Sequence, residues 1–138
     1  MPDKVFLDSN IFVYAALDDG SSSHKHKRAI ELIENTEIFL VASTQVVNEF
    51  YAVLIKQRID EIHIREKASE ILNDMEIVSI TPALLRASWK IKDKYRYSYW
   101  DSMIIASALD SECRILYSED MQHGQIIDKD LIISNPFK

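Results

Sequence analysis

The sequence predicts an α/β domain, a three-layer α/β/α sandwich around a central, mainly parallel sheet, and three observations carry that prediction. Short apolar runs rich in β-branched and aromatic residues recur along the chain, each too short for a helix. Between them lie longer stretches whose apolar residues return at helical spacing. Strands that alternate with helices need crossover connections, and these make neighbouring strands parallel and put helices on both faces of the sheet. The 138 residues read as one domain, residues 1–138, long enough to bury roughly two thirds of the surface that the unfolded chain exposes.

The first strand is KVFLD (residues 4–8), apolar and ending on an acid. Asp8 is placed to cap a helix over NIFVYAAL (residues 10–17). Ala29, Leu32 and Ile33 are the stripe of the next helix. EIFLVAS (residues 37–43) is the second strand, and Ser43 offers an N-cap to a helix with Val46, Phe50, Val53 and Leu54 inward. Ile64, Ala68, Ile71 and Leu72 mark another helix, and EIVSIT (residues 76–81) is the third strand. Thr81 followed by Pro82 signals a new helix start, because proline at the first helical position gives up an N–H that has no partner there anyway. SYWDSMIIASAL (residues 98–109) forms the last helix, with Ile104, Ile105, Ala108 and Leu109 along its inner side. RILYS (residues 114–118) and LIISN (residues 131–135) complete the strands.

Composition removes several classes of function. A hydrophobic fraction of 47% and a charged fraction of 28% describe an ordinary globular chain. A net charge of -6 excludes a broad basic surface for phosphate, so any contact with nucleic acid is local. The lone Cys113 allows no internal disulfide and no metal-finger spacing. Gly20 and Gly124 are the only glycines, too few for a glycine-rich phosphate loop. MPDKVFLDSN carries no long apolar leader, and nothing approaches the ~20 apolar residues of a membrane helix. The expectation is a cytoplasmic protein with no membrane contact.

The candidate site is acidic. In parallel sheets ligands sit beyond the carboxyl ends of the strands, where Asp8 follows VFL and Asp120 follows ILY. Each also has an ordinary reading, Asp8 as a helix cap and Asp120 as a turn former. Asp101 shares a helical face with Ile104, Ile105 and Ala108, while Ser98 and Asp101 match the capping pattern S-x-x-D. Glu49 flanks the apolar face made by Val46, Ala52 and Val53; its ordinary reading is a surface glutamate. Carboxylates that converged would repel one another unless a hard dication neutralised them. Mg²⁺ or Mn²⁺ suits all-oxygen ligands and brings the chemistry of phosphodiester hydrolysis.

With FLDSN, NE at residues 48–49, YWDSMIIASAL and ILYSEDMQHG in this order, the chain resembles the PIN domain family. Within it, the likeness is to the VapC-type ribonuclease toxins of bacterial toxin–antitoxin pairs. It covers nearly the whole chain and is strongest from residue 99 to residue 124. The resemblance implies a catalytic set of Asp8, Glu49, Asp101 and Asp120, supported by Asn10 and Ser118. It further implies Mg²⁺- or Mn²⁺-dependent endonucleolytic cleavage of RNA, a homodimer, and inhibition by a cognate antitoxin peptide laid across the groove. All four acids are present. Asp8 and Asp101 are expected to contact the metal most directly, with Glu49 and Asp120 completing the site directly or through water.

Other readings compete. A phospho-receiver domain needs an acidic pair after the first strand and a lysine after a late one, where this chain has DSN and YSED. A haloacid-dehalogenase-like phosphatase wants D-x-D, which Asp8, Ser9 and Asn10 do not supply. A partner-binding module with structural acids remains open, and stoichiometric Mn²⁺ binding discriminates it. His24 and His26 stand two apart and do not share a helix face, His123 reads as a loop residue, and Cys113 has no histidine nearby in sequence for nucleophilic chemistry. Tyr95, Tyr97, Tyr99 and Trp100, interleaved with Lys92, Lys94 and Arg96, read either as packing or as a stacking rim for single-stranded RNA.

Overall fold

The computed structural model describes residues 3–17 and 23–138, so Gly20 lies outside the described residues. Strand β1 (Lys4–Leu7) passes through Asp8 into helix α1 (Ser9–Ala16). There follow α2 (Ser23–Glu34), β2 (Phe39–Ser43), α3 (Thr44–Lys56), α4 (Glu61–Asp74), β3 (Glu76–Val78), α5 (Pro82–Tyr95) and α6 (Tyr99–Asp110). The chain ends in β4 (Ile115–Tyr117), β5 (Ile126–Ile127) and β6 (Leu131–Ser134). Three helix starts beyond α1 are those that the sequence marks. Ser43 accepts from the Val46 N–H at 3.2 Å, Thr81 from Leu84 at 3.2 Å with Pro82 opening α5, and Ser98 from Asp101 at 3.1 Å.

The six strands lie in the order β3-β2-β1-β4-β6-β5, parallel except where β5 meets β6. Val5, Phe6 and Leu7 are successive residues of β1, and all are buried. Since successive strand residues point to opposite faces, helices must cover both sides, as in the predicted sandwich. Phe6, Phe50, Ile104, Ile105 and Leu116 are among the largest wholly buried side chains.

Two details depart from the sequence reading. β5 is an additional strand, and its two residues are too few to show an alternating pattern. It folds onto β6 through a loop in which Asp128 and Lys129 take positive φ, held by bonds from the Tyr95 hydroxyl and the Lys94 ammonium to Asp128. The EIVSIT strand stops at Val78, because Ile80 N–H turns to the Thr44 hydroxyl at 3.3 Å and Thr81 caps α5.

Strand order decides where the site lies. The chain steps outward from β1 to β2 to β3, then returns to lay β4 on the other side of β1. This reversal makes β1 and β4 the topological switch point, where the loops leaving the carboxyl ends part and open a crevice. Among the described residues, no helix is long and apolar enough to cross a membrane.

Candidate active site

Leu7 pairs with Tyr117 at the carboxyl ends of β1 and β4, and the next N–H, that of Asp8, donates to the Tyr117 carbonyl at 3.0 Å. The ladder thus delivers Asp8 and Ser118 side by side. Asp8 is only 4% exposed. One of its oxygens accepts from the Ser9 N–H at 2.7 Å and so caps α1; the other accepts from the Ser118 hydroxyl at 2.8 Å. The capping role is real, and it leaves the carboxylate facing the crevice elements. Burial pushes its carboxyl up to about 7, helped by the charges of Glu49 and Asp101 and opposed by the bonds from Ser118 and Ser9.

Ser118, fully buried, also accepts from the Asp120 N–H at 3.2 Å and so joins the two acids. The Asp120 carboxylate stands exposed and accepts from the Asn10 amide at 3.1 Å. Asn10 and Ser118 thus each donate a hydrogen bond to a candidate acid. Asp101 lies half-buried in the first turn of α6, its own N–H capped by Ser98. Its carboxyl is raised, chiefly by burial, with Asp120 adding repulsion and Ser98 opposing. Glu49 on α3 is half-buried rather than a free surface residue. Burial raises it too, Asp101 and Asp120 add to the rise, and bonds from Gln45 and Ser9 oppose it.

The four predicted acids therefore share one electrostatic neighbourhood at the switch point. Each raised acid is raised by burial and by other carboxylates, and among the described residues no Lys or Arg forms an ion pair with any of the four. Elsewhere in the molecule acids have cations: Lys4 pairs with Glu76, and Lys94 with Asp128. Among the described residues no three His, Cys, Asp or Glu side chains are grouped tightly enough to cage an ion by themselves.

Several residues around the site carried no sequence signal. Gln45, buried on α3, bridges its own helix and α6 by donating to Glu49 at 3.4 Å and to the Trp100 carbonyl at 3.1 Å. Tyr14 and Lys25 converge on Glu119, the neighbour of Asp120, at 2.7 and 2.6 Å. Burial raises Glu119, but the bonds from Lys25 and Tyr14 and the charges of Lys25 and His24 outweigh it and hold the carboxyl below its ordinary range.

The proposed aromatic rim divides. Tyr95 and Lys94 are spent on Asp128 and Tyr97 on Gln125, whereas Trp100 remains 60% exposed beside a cleft of about 660 Å³ that Glu49 also lines. His26 bonds the Tyr14 carbonyl and His123 accepts from the Asn135 N–H, both structural duties. Cys113 is buried, its thiol pushed up to about 11 mainly by that burial, which leaves it inert at neutral pH.

A family model described as PIN domain matches residues 5–127. Solved structures with this fold include VapC20 of Mycobacterium tuberculosis, described as a sarcin-ricin loop cleaving toxin. It is 18% identical with a TM-score of 0.68 over 84% of this chain and 89% of its own. VapBC2 of Rickettsia felis, bound to a promoter DNA fragment, is 18% identical with a TM-score of 0.67 over 96% and 98% of the two chains. A toxin–antitoxin complex from Klebsiella pneumoniae is 16% identical with a TM-score of 0.71 over 96% and 97%. No curated protein matches.

Proposed function

The chain belongs to the PIN domain family, and from that premise we propose that it is a metal-dependent endoribonuclease, the toxin of a VapBC-type toxin–antitoxin pair. The observation that carries the reading is the set Asp8, Glu49, Asp101 and Asp120 at a switch-point crevice: burial and neighbouring carboxylates raise the carboxyls of Asp8, Glu49 and Asp101, and among the described residues no Lys or Arg pairs with any of the four. Such a cluster is at rest only when a proton or a cation joins it.

Mg²⁺ or Mn²⁺ is the matching cation, by the hardness of the all-oxygen donors. Asp8 and Asp101 are its proposed direct contacts, with Glu49 and Asp120 acting directly or through water. When bound, the ion supplies charge neutralisation at the phosphodiester and acidifies water for the attack. The chain's own part is orientation. Ser9 and Ser118 fix the Asp8 carboxylate between two donors, Ser98 holds the turn that carries Asp101, Gln45 steadies Glu49, and Asn10 steadies Asp120. The proposed partners are an RNA substrate, a cognate antitoxin and a second copy of the chain in a homodimer. Support for the antitoxin comes from structural neighbours described as VapBC and toxin–antitoxin complexes.

The test is cleavage of mixed cellular RNA by wild-type protein and by Asp101→Asn, with Mg²⁺, with Mn²⁺ and with excess EDTA. The expected outcome is metal-dependent cleavage that falls at least a hundredfold in the folded variant. Cleavage at the wild-type rate by the variant removes Asp101 from the site. A folded wild-type protein that cleaves nothing turns the reading toward a partner-binding module.

A further inference from the structure

The loop leaving β4 carries two adjacent acids, and the proposed reaction uses only the second. Glu119 points away from the crevice into a clasp between three segments. Its Oε1 accepts from the Tyr14 hydroxyl of α1 at 2.7 Å, and its Oε2 meets the Lys25 ammonium of α2 at 2.6 Å. Lys25 also lies 5.1 Å from the centre of the Tyr14 ring and 5.9 Å from that of Phe137, and those two rings pack edge to face at 5.1 Å. Both carboxylate oxygens are engaged by donors of α1 and α2, which ties the loop to those helices.

We infer that Glu119 is a positioning residue, which acts by anchoring the loop that presents Asp120 to the site. The inference rests on the nuclease reading. Its geometric basis is a second link: the Glu119 N–H faces Asn10 Oδ1 at 3.5 Å, while Asn10 Nδ2 donates to Asp120 Oδ2 at 3.1 Å. Asn10 and Tyr14 belong to the same helix, so clasp and site share one support on each side of the loop. Asp120 is itself exposed, and packing alone does not fix where its carboxylate points. The charge-assisted bonds of its neighbour supply that constraint, since ionised partners at such distances bond about twice as strongly as neutral ones. A displacement of ~1 Å at a reacting group is enough to cost about a hundredfold in rate.

The experiment uses Tyr14→Phe, Glu119→Ala and the double variant, each shown to be folded by its melting curve. Tyr14→Phe deletes one hydroxyl and keeps the ring. Single-turnover cleavage of total cellular RNA at rising enzyme concentration separates maximal rate from half-saturation, and calorimetry reads Mn²⁺ affinity independently of cleavage. The clasp predicts a maximal rate lowered about tenfold or more in Glu119→Ala and less in Tyr14→Phe. Half-saturation should be unchanged, and the double variant should be no worse than Glu119→Ala. Singles that match wild type, or losses that multiply in the double variant, overturn it. Wild-type protein that cleaves nothing refutes the nuclease reading instead. The clasp then stands or falls on whether Glu119→Ala weakens Mn²⁺ binding.

Discussion

One oxygen of Asp8 closes the first turn of α1 while the other receives the Ser118 hydroxyl, so a single buried side chain serves both the fold and the site. Its folded-state pKa of about 7 lies above the ordinary 3.8. Between those values the folded chain keeps a proton that the unfolded chain has lost, so stability falls as pH rises through the window. In EDTA, the melting temperature should therefore decline from pH 5 to pH 8. Asp8→Asn should flatten the decline and melt higher than wild type at pH 8, a difference on the order of a few kcal/mol. Mn²⁺ should restore wild type at pH 8 and leave the variant unmoved; thermal scans across the pH series check both. Asp8 and Asp101 were legible in the sequence because each follows a strand or opens a helix at a recognisable signal. Glu119 was not, since its partners Tyr14 and Lys25 lie far back in the chain and no local pattern joins them.

Caps are the clearest case of elements that announce themselves. Thr81 and Ser98 make the same bond at the starts of α5 and α6, yet only α6 carries a site acid in its first turn. Thr81→Ala should cost about 1 kcal/mol of stability and leave RNA cleavage unchanged. Ser98→Ala should cost a similar amount and also slow cleavage, because the turn holding Asp101 loses its tether. Denaturant melts beside cleavage rates separate the two; equal rates would show that the α6 cap is structural only. The helices and all but one of the strands could be read from periodicity and caps, since those signals are local. β5 could not, because two residues paired across a hairpin owe their strand geometry to β6. The choice between packing and rim for Tyr95 and Lys94 was not legible for a related reason: their partner Asp128 sits in that unseen hairpin.

For the molecule as a whole, charge sets how it can hold RNA. The net charge is -6, and Lys4, Lys25 and Lys94 are already paired with acids of the chain. The 22 acids outnumber the 16 Lys and Arg, so phosphates meet no broad excess of positive charge. The affinity of the Asp101→Asn variant for RNA should therefore fall with salt along a shallow logarithmic slope of about 1 to 3, checked by fluorescence anisotropy. A steep slope would mean that a basic surface binds the RNA. The alternation of strands and helices made the sandwich legible, but strand order was not, because nothing local says that β4 returns to the side of β1 away from β2. That return has a consequence for the cell that makes the protein. The bond from Ser118 to Asp8 joins residues 110 apart in sequence. While translation is under way, the emerging chain already carries Asp8, Glu49 and Asp101, but it lacks the strand that would gather them with Asp120. On the proposed reading, a growing polypeptide has no assembled site until β4 has emerged and slipped in beside β1.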